Sequence, residues 1–184
     1  MLRRVASRVS MRSRERKLDL FRTLLQPGPE TTVVDVGVTD APFGGGSTDN
    51  FFEALYPWPE RVTAVQADGR ELPFADGQFD LGFSNAVVEH VAGGRDGQRE
   101  FVHELCRVAR RVFVTTPNRW FPLEVHTLLP FVHWLPPEPR SRALGRVGWH
   151  EVLDPLGPRE LASLFPYEVR VLNRGMTLIA IGPA

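Results

Sequence analysis

Glu89 and His90 stand side by side, next to the expected start of a helix, and either could orient or deprotonate an acceptor. The plainer role is that His90 packs and hydrogen-bonds locally. Asp35 sits inside the β-branched run Thr31–Gly37. An acid is costly to bury there without a partner, so Asp35 either meets a ligand or caps the end of a buried strand. Asp68, followed by Gly69, poses the same choice. Arg119, in the run Thr115–Phe121, could bind a carboxylate or phosphate, or lie solvated beside a structural turn. Asn118, Arg119, Trp120 and His126 are the candidate acceptor contacts. His126, His133, Trp134 and Trp149 either line an acceptor pocket or fill core. His126 and His133 lack an evident third ligand, so no metal is expected. The single cysteine, Cys106, lies on the inner face of a helix and reads as packing.

These residues must be held by alternating strands and helices. Residues 11–26 read as an amphipathic helix, with Leu18, Phe21, Leu24 and Leu25 at helical spacing and Pro27-Gly28-Pro29 ending it. Strands are expected over 31–37, 61–67, 79–84 and 112–116, each an apolar or β-branched run bounded by turn residues. Short helices are expected over 50–56 and 158–164, and a longer one over 98–110, with Phe101, Leu105 and Val108 on one face. The proline- and aromatic-rich stretch 119–157 reads as short helices and loops over one end of the sheet. Strands 168–172 and 176–181, joined through Asn173-Arg174-Gly175, form an antiparallel hairpin. Alternation implies parallel strands, and ligands of such sheets sit at the carboxyl ends of the strands.

The 184-residue chain suits one domain, and its zero formal net charge argues against a globally basic nucleic-acid binder. Its N-terminus is nevertheless basic: Arg3, Arg4, Arg8, Arg12, Arg14, Arg16 and Lys17 precede the first strand. That run reads as a solvated helix face or flexible tail, with RNA or an anionic membrane as the rival partners. One cysteine excludes an internal disulfide, and no apolar run approaches membrane-spanning length. A cytoplasmic protein is the expectation.

The run Val33-Val34-Asp35-Val36-Gly37 resembles the first motif of class I S-adenosylmethionine-dependent methyltransferases. The block from Gln66 to Asp80 resembles the segment between the third and fourth strands of their small-molecule "type 11" branch. Ser84-Asn85-Ala86-Val87-Val88-Glu89-His90-Val91 resembles the motif that follows the fourth strand. The resemblance spans residues 31–182. It implies a Rossmann-like α/β sandwich, S-adenosyl-L-methionine as cofactor, and methyl transfer to a small-molecule acceptor. By this likeness Asp35 and Gly37 meet the methionine part of the cofactor, and Thr39 and Asp40 also belong to the cofactor site. Asp68 and Gly69 meet the adenine, and Ser84, Asn85 and Ala86 form the floor below the sulfonium. Glu89 and His90 are the catalytic candidates. Residues 1–30 are then a basic helical segment and 31–184 the methyltransferase-like domain, with 119–157 as a cap or loop insertion.

Two departures from that pattern follow. The family has Gly-x-Gly after its first strand, whereas Gly37 is followed by Val38-Thr39-Asp40. The family also has a strand, a helix and another strand before its Asp68-type motif, whereas Arg61–Val65 runs straight into Gln66-Ala67-Asp68. One strand and one helix are missing, and with them the carboxylate that grips the ribose hydroxyls; Glu60 and Glu71 are the possible substitutes. The family's third strand is an edge strand, so its loss leaves a six-stranded sheet of order 2-1-3-4-6-5 with only the last strand antiparallel. A degenerate, noncatalytic binding module is the rival to the enzyme. A nicotinamide dehydrogenase would need Gly-x-Gly-x-x-Gly, which is absent. The acceptor and the oligomeric state are not encoded in any motif.

Overall fold

A computed structural model of the chain describes residues 2–37, 52, 55–66 and 68–183. Its first helix, α1, runs Leu2–Leu25, longer at the N-terminus than the apolar spacing suggests. It stops where Gln26 turns left-handed at φ 51°, immediately before Pro27. The strands are β1 (Val33–Val36), β2 (Val62–Val65), β3 (Phe79–Asn85), β4 (Ala109–Pro117), β5 (Arg170–Asn173) and β6 (Thr177–Gly182). Helices α2 (Gly94–Val108), α3 (Pro137–Gly145) and α4 (Pro158–Ala162) complete the elements, with short 3-10 turns at Pro59–Arg61, Val88–His90 and Val132–Trp134.

The sheet has the expected order, β2-β1-β3-β4-β6-β5. β1 pairs parallel with β2 and β3, and β3 with β4, while β6 runs antiparallel to both β4 and β5. β2 is the edge on the shortened side, with Thr63 and Ala64 exposed.

Side chains alternate across the sheet with period two and so build two cores. Val34, Val36, Val112, Val114, Leu178 and Ala180 face α2 and α4, meeting Phe101, Leu105 and Leu161. Val33, Phe83, Phe113, Ile179 and Ile181 face the other way, onto Leu18, Phe21 and Leu25 of α1 and onto Phe52 and Tyr56. Phe21 lies edge-on to Phe52, Phe83 and Phe113 at 5.1–5.6 Å between ring centroids. The second half of α1 thus covers one face of the sheet. Leu18, Phe21 and Leu25 are at most 5% exposed, and burying three such side chains favours folding by very roughly 5–8 kcal/mol before entropy costs.

Segment 119–157 carries a small core of its own, in which Val132, Leu144 and Leu153 meet Leu129 and Trp149. Arg95 and Gln98 of α2 tie the segment down through the carbonyls of Pro155 (3.1 Å) and Asp154 (2.9 Å). The segment lies over the carboxyl ends of β3 and β4, because Asp154 N–H donates to the Glu89 carbonyl and Asn118 pairs with Leu156.

Candidate functional site at the carboxyl ends of the parallel strands

Gly37 closes β1 with φ 100°, and its N–H donates to the Val65 carbonyl at the end of β2. Val36 is paired with Val65, so Asp68, three residues past Val65, leaves the sheet at the same lip as Gly37. A Cβ on Gly37 would run into Cγ2 of Val87, with Cγ1 2.9 Å away. The glycine is therefore required by both its backbone angle and its neighbour. Gly69 is constrained by its neighbour alone, because a Cβ there would lie 2.5 Å from Cδ2 of Phe101.

Asp35 is buried on β1, in register with Phe83 and on the α1 side of the sheet. Asp68 is exposed, and its two carboxylate oxygens accept from Nε and Nη2 of Arg70. That hydrogen bonding holds its pKa at about 2. Thr39 and Asp40 lie outside the described residues. Of the two possible ribose partners, Glu60 is in the 3-10 turn that enters β2, at the end of the strand opposite the lip. Placement alone removes it. Glu71 is on the lip side, but exposed.

β3 delivers three residues. Ser84 is fully buried, and its Oγ has no hydrogen-bond partner among the described residues. Ala86 takes φ 56°, rare for a residue with a Cβ, and donates its N–H to the Thr115 carbonyl. Asn85 Oδ1 accepts from Thr115 Oγ1 at 2.9 Å and from Lys17 Nζ at 2.8 Å.

Lys17 departs from the reading of the basic N-terminus as solvated or flexible, although Arg12 and Arg16 of the same run are exposed. Its ammonium reaches into the lip from α1, and desolvation lowers its pKa to about 8 against the opposing pull of Glu89. The signal was present in the spacing. Lys17 precedes Phe21 by four residues and Leu25 by eight, so it shares their buried face.

Beyond β3, the turn Val88–His90 places Glu89 fully inside. Its Oε2 accepts from Thr116 Oγ1 at 2.9 Å. Its Oε1 has no hydrogen-bond partner among the described residues and faces Nε2 of His90 at 3.9 Å and Nε2 of His126 at 4.0 Å. His90 bonds the Val152 carbonyl through Nδ1 at 2.7 Å. His126 bonds Glu124 Oε1 through Nδ1 at 2.6 Å. Burial by itself would raise the Glu124 carboxyl. Hydrogen bonds from the His126 ring, from Thr127 and from the His126 backbone outweigh it and hold the pKa at about 2. The His126 ring lies 4.9 Å from that of His90 and 5.1 Å from that of Trp149.

The structure thus separates the two histidines paired in the sequence reading. His133 turns inward and bonds the Phe121 carbonyl at 2.8 Å. His126 joins Glu89 and His90. The third partner that His126 lacked in the sequence is 37 residues away along the chain and arrives only through the fold.

Asn118 and Arg119 are engaged with the protein. Asn118 Nδ2 donates to the Gly175 carbonyl and its Oδ1 accepts from the Trp120 N–H. Arg119 pairs with Glu160 at 3.2 Å and lies over the exposed Trp120 ring. A small cavity is lined by Asn118, Glu124, His133 and Leu153.

The methyltransferase-domain family model matches residues 47–112, roughly a third of the chain. No curated protein matches in sequence. Among solved structures, the fold is similar to a Thermotoga maritima S-adenosylmethionine-dependent methyltransferase described as a possible histamine N-methyltransferase. The TM-score is 0.57 at 15% identity, covering 90% of this chain and 86% of that one. It is also similar to the Burkholderia thailandensis 1,6-didemethyltoxoflavin-N1-methyltransferase solved with S-adenosylhomocysteine. That TM-score is 0.51 at 14% identity, with 90% and 74% coverage. A Bacillus subtilis protein, YcgJ, gives 0.54 at 15%, with 86% and 71% coverage. The chain therefore shares the Rossmann-like fold of these methyltransferases, and its residues 47–112 carry the methyltransferase-domain sequence pattern.

Proposed function

We propose that this protein transfers a methyl group from S-adenosyl-L-methionine to a small-molecule acceptor. The observation that carries the reading is the lip itself. Gly37, Asp68, Ser84 and Asn85 leave neighbouring parallel strands at one end of the sheet, and the cluster of Glu89, His90 and His126 lies beyond them. Two features of the lip fit the cofactor. The buried Ser84 Oγ lacks a partner among the described residues, and the turn at Gly37 brings backbone to the strand end without a side chain.

The cofactor, when bound, supplies an electrophilic methyl on a sulfonium. The chain's part is to position, to exclude water and to manage the acceptor's proton. Asn85, fixed by Thr115 and Lys17, holds the floor of the site. Glu89 or His90 takes the proton when the acceptor carries one. Segment 119–157 covers this end and keeps Glu89 out of water.

The rival, a noncatalytic module, has its own support in the shortened sheet and in the Asp68 carboxylate already paired with Arg70. Calorimetry with S-adenosylhomocysteine decides between them. One charge-assisted hydrogen bond contributes ~1.5–3 kcal/mol, so its loss at the ribose weakens affinity roughly 10- to 100-fold without abolishing it. The enzyme reading expects measurable binding. No heat at millimolar ligand would favour the module.

A further inference from the structure

We propose that Glu89, His90 and His126 form a binding site for one divalent transition-metal ion. Each residue offers one ligand atom, and the three atoms lie within 4.8 Å of one another. Two of the separations, Oε1 of Glu89 to each Nε2, are 3.9 and 4.0 Å. A cation at the centre of such a triangle sits at most about 2.5 Å from each atom, so an inward shift of ~0.4 Å per side chain reaches metal–ligand bond lengths of about 2.0–2.2 Å.

Each ligand is set up by a partner behind it. The Val152 carbonyl can only accept, so Nδ1 of His90 carries its proton there and Nε2 keeps its lone pair. Nδ1 of His126 faces the Glu124 carboxylate at 2.6 Å, which fixes the same tautomer. The arrangement places a carboxylate behind a histidine whose outer nitrogen is free, as around protein-bound metals. Thr116 occupies Oε2 of Glu89 and leaves Oε1 for the centre.

A second observation points to a ligand independently. Oε1 belongs to a side chain with no exposure and no hydrogen bond among the described residues. A carboxylate oxygen so buried is costly to leave unmatched. A cation among the two imidazoles satisfies it. Two imidazoles and one carboxylate suit Zn²⁺, Co²⁺ or Fe²⁺ better than Mg²⁺, which takes mainly oxygen. Three protein ligands leave open positions for water or an oxygen of the acceptor, and because a bound ion takes the lone pairs of Glu89 Oε1 and His90 Nε2, their proton-accepting role belongs to the metal-free site.

The inference rests on the proposed function only for what those open positions face. The cation itself is measured without cofactor or acceptor, so a chain that ignores S-adenosylhomocysteine can still bind it.

The test is titration of the metal-free full chain with Co²⁺, followed by visible absorption, with Mg²⁺ as the contrast. The expected result is one equivalent bound, with d–d bands and a raised melting temperature. His90→Gln and His126→Gln should each weaken Co²⁺ at least tenfold. Glu124→Gln should weaken it about 10- to 100-fold, because Glu124 orients a ligand without being one. His90 is the safest variant, since its side chain is 23% exposed and tolerates replacement. A folded wild-type chain that takes up no Co²⁺ at millimolar concentration overturns the site. So does Co²⁺ binding that His90→Gln and His126→Gln leave unchanged, which would place the ion on other surface groups.

Discussion

Gly37→Ala should destabilise the protein through two separable terms. The first is backbone strain. At φ 100° a residue with a Cβ is disfavoured by ~1–2 kcal/mol. The second is overlap with Val87, whose Cγ1 and Cβ lie 2.9 and 3.1 Å from the added carbon and whose Cγ2 is closer still. Forcing an extra methyl into packed side chains typically costs ~1–3 kcal/mol. The single substitution should therefore cost about 2–5 kcal/mol, a fall in melting temperature of roughly 5–15 °C at this chain length. Val87→Ala alone trims a half-buried side chain and should cost ~1 kcal/mol. In the double variant the overlaps with Cγ1 and Cγ2 are gone, and the backbone strain and the milder 3.1 Å contact with the residue-87 Cβ remain. The two changes should then be non-additive, with the pair about 1–3 kcal/mol more stable than the summed singles. Urea unfolding of the four proteins measures the cycle. Gly37→Ala within 0.5 kcal/mol of wild type, or strict additivity with Val87→Ala, would refute the claim that φ and Val87 together dictate glycine here.

Two further outcomes follow from the charges. Lys17 titrates at about 8 in the folded chain and near 10.5 when unfolded. Between those values the unfolded state holds more protons, so wild-type stability should rise with pH across that window. Lys17→Met should flatten the rise, as read by the difference between the two unfolding curves from pH 7.5 to 10.5; parallel curves would place Lys17 in water. Arg107 clamps the segment after the lip by donating to the carbonyls of Leu72 and Phe74 and pairing with Asp76 and Glu104. Arg107→Ala should cost about 2–3 kcal/mol and speed amide exchange over 70–78, because a charged donor to two carbonyls is lost at once. Unchanged exchange in that segment would count against the clamp.

Strand order was legible because it follows from rules that act locally. β-branched runs bounded by glycine or proline give strands, alternation gives parallel pairing, and the Asn173–Gly175 reversal gives the hairpin. Boundaries drifted where tertiary contacts extend an element. β4 begins at Ala109, not Val112, because Ala109 pairs with Phe79, a partner that local pattern does not reveal. The site was legible one residue at a time. Glu89, His90 and His126 were each singled out, but their convergence depends on segment 119–157 folding back over β4, which no periodicity encodes. Lys17 was hidden by its neighbours' composition: six arginines around it suggested a solvated face, and only its spacing from Phe21 and Leu25 indicated the interior.

The shortened sheet changes the two halves of the site unequally. Strand pairing on the β3–β4 side is long and central, with six paired positions, and the groups behind Glu89 and His126 are backed by buried hydrogen bonds. On the β1–β2 side four positions pair, and β2 is an edge with half its residues exposed. Opening free energy tracks burial and pairing, so the β3–β4 side, proposed to face the acceptor, should be the rigid half and the β1–β2 side, proposed to face the adenosine, the yielding one. A ligand held mainly from the rigid half would lose little by the missing strand, whereas one gripped at the ribose would lose most of its affinity. On the proposed reading, the binding energy would therefore fall on the methionine and acceptor end, where Ser84 and Glu89 are buried and Asn85 is half-buried.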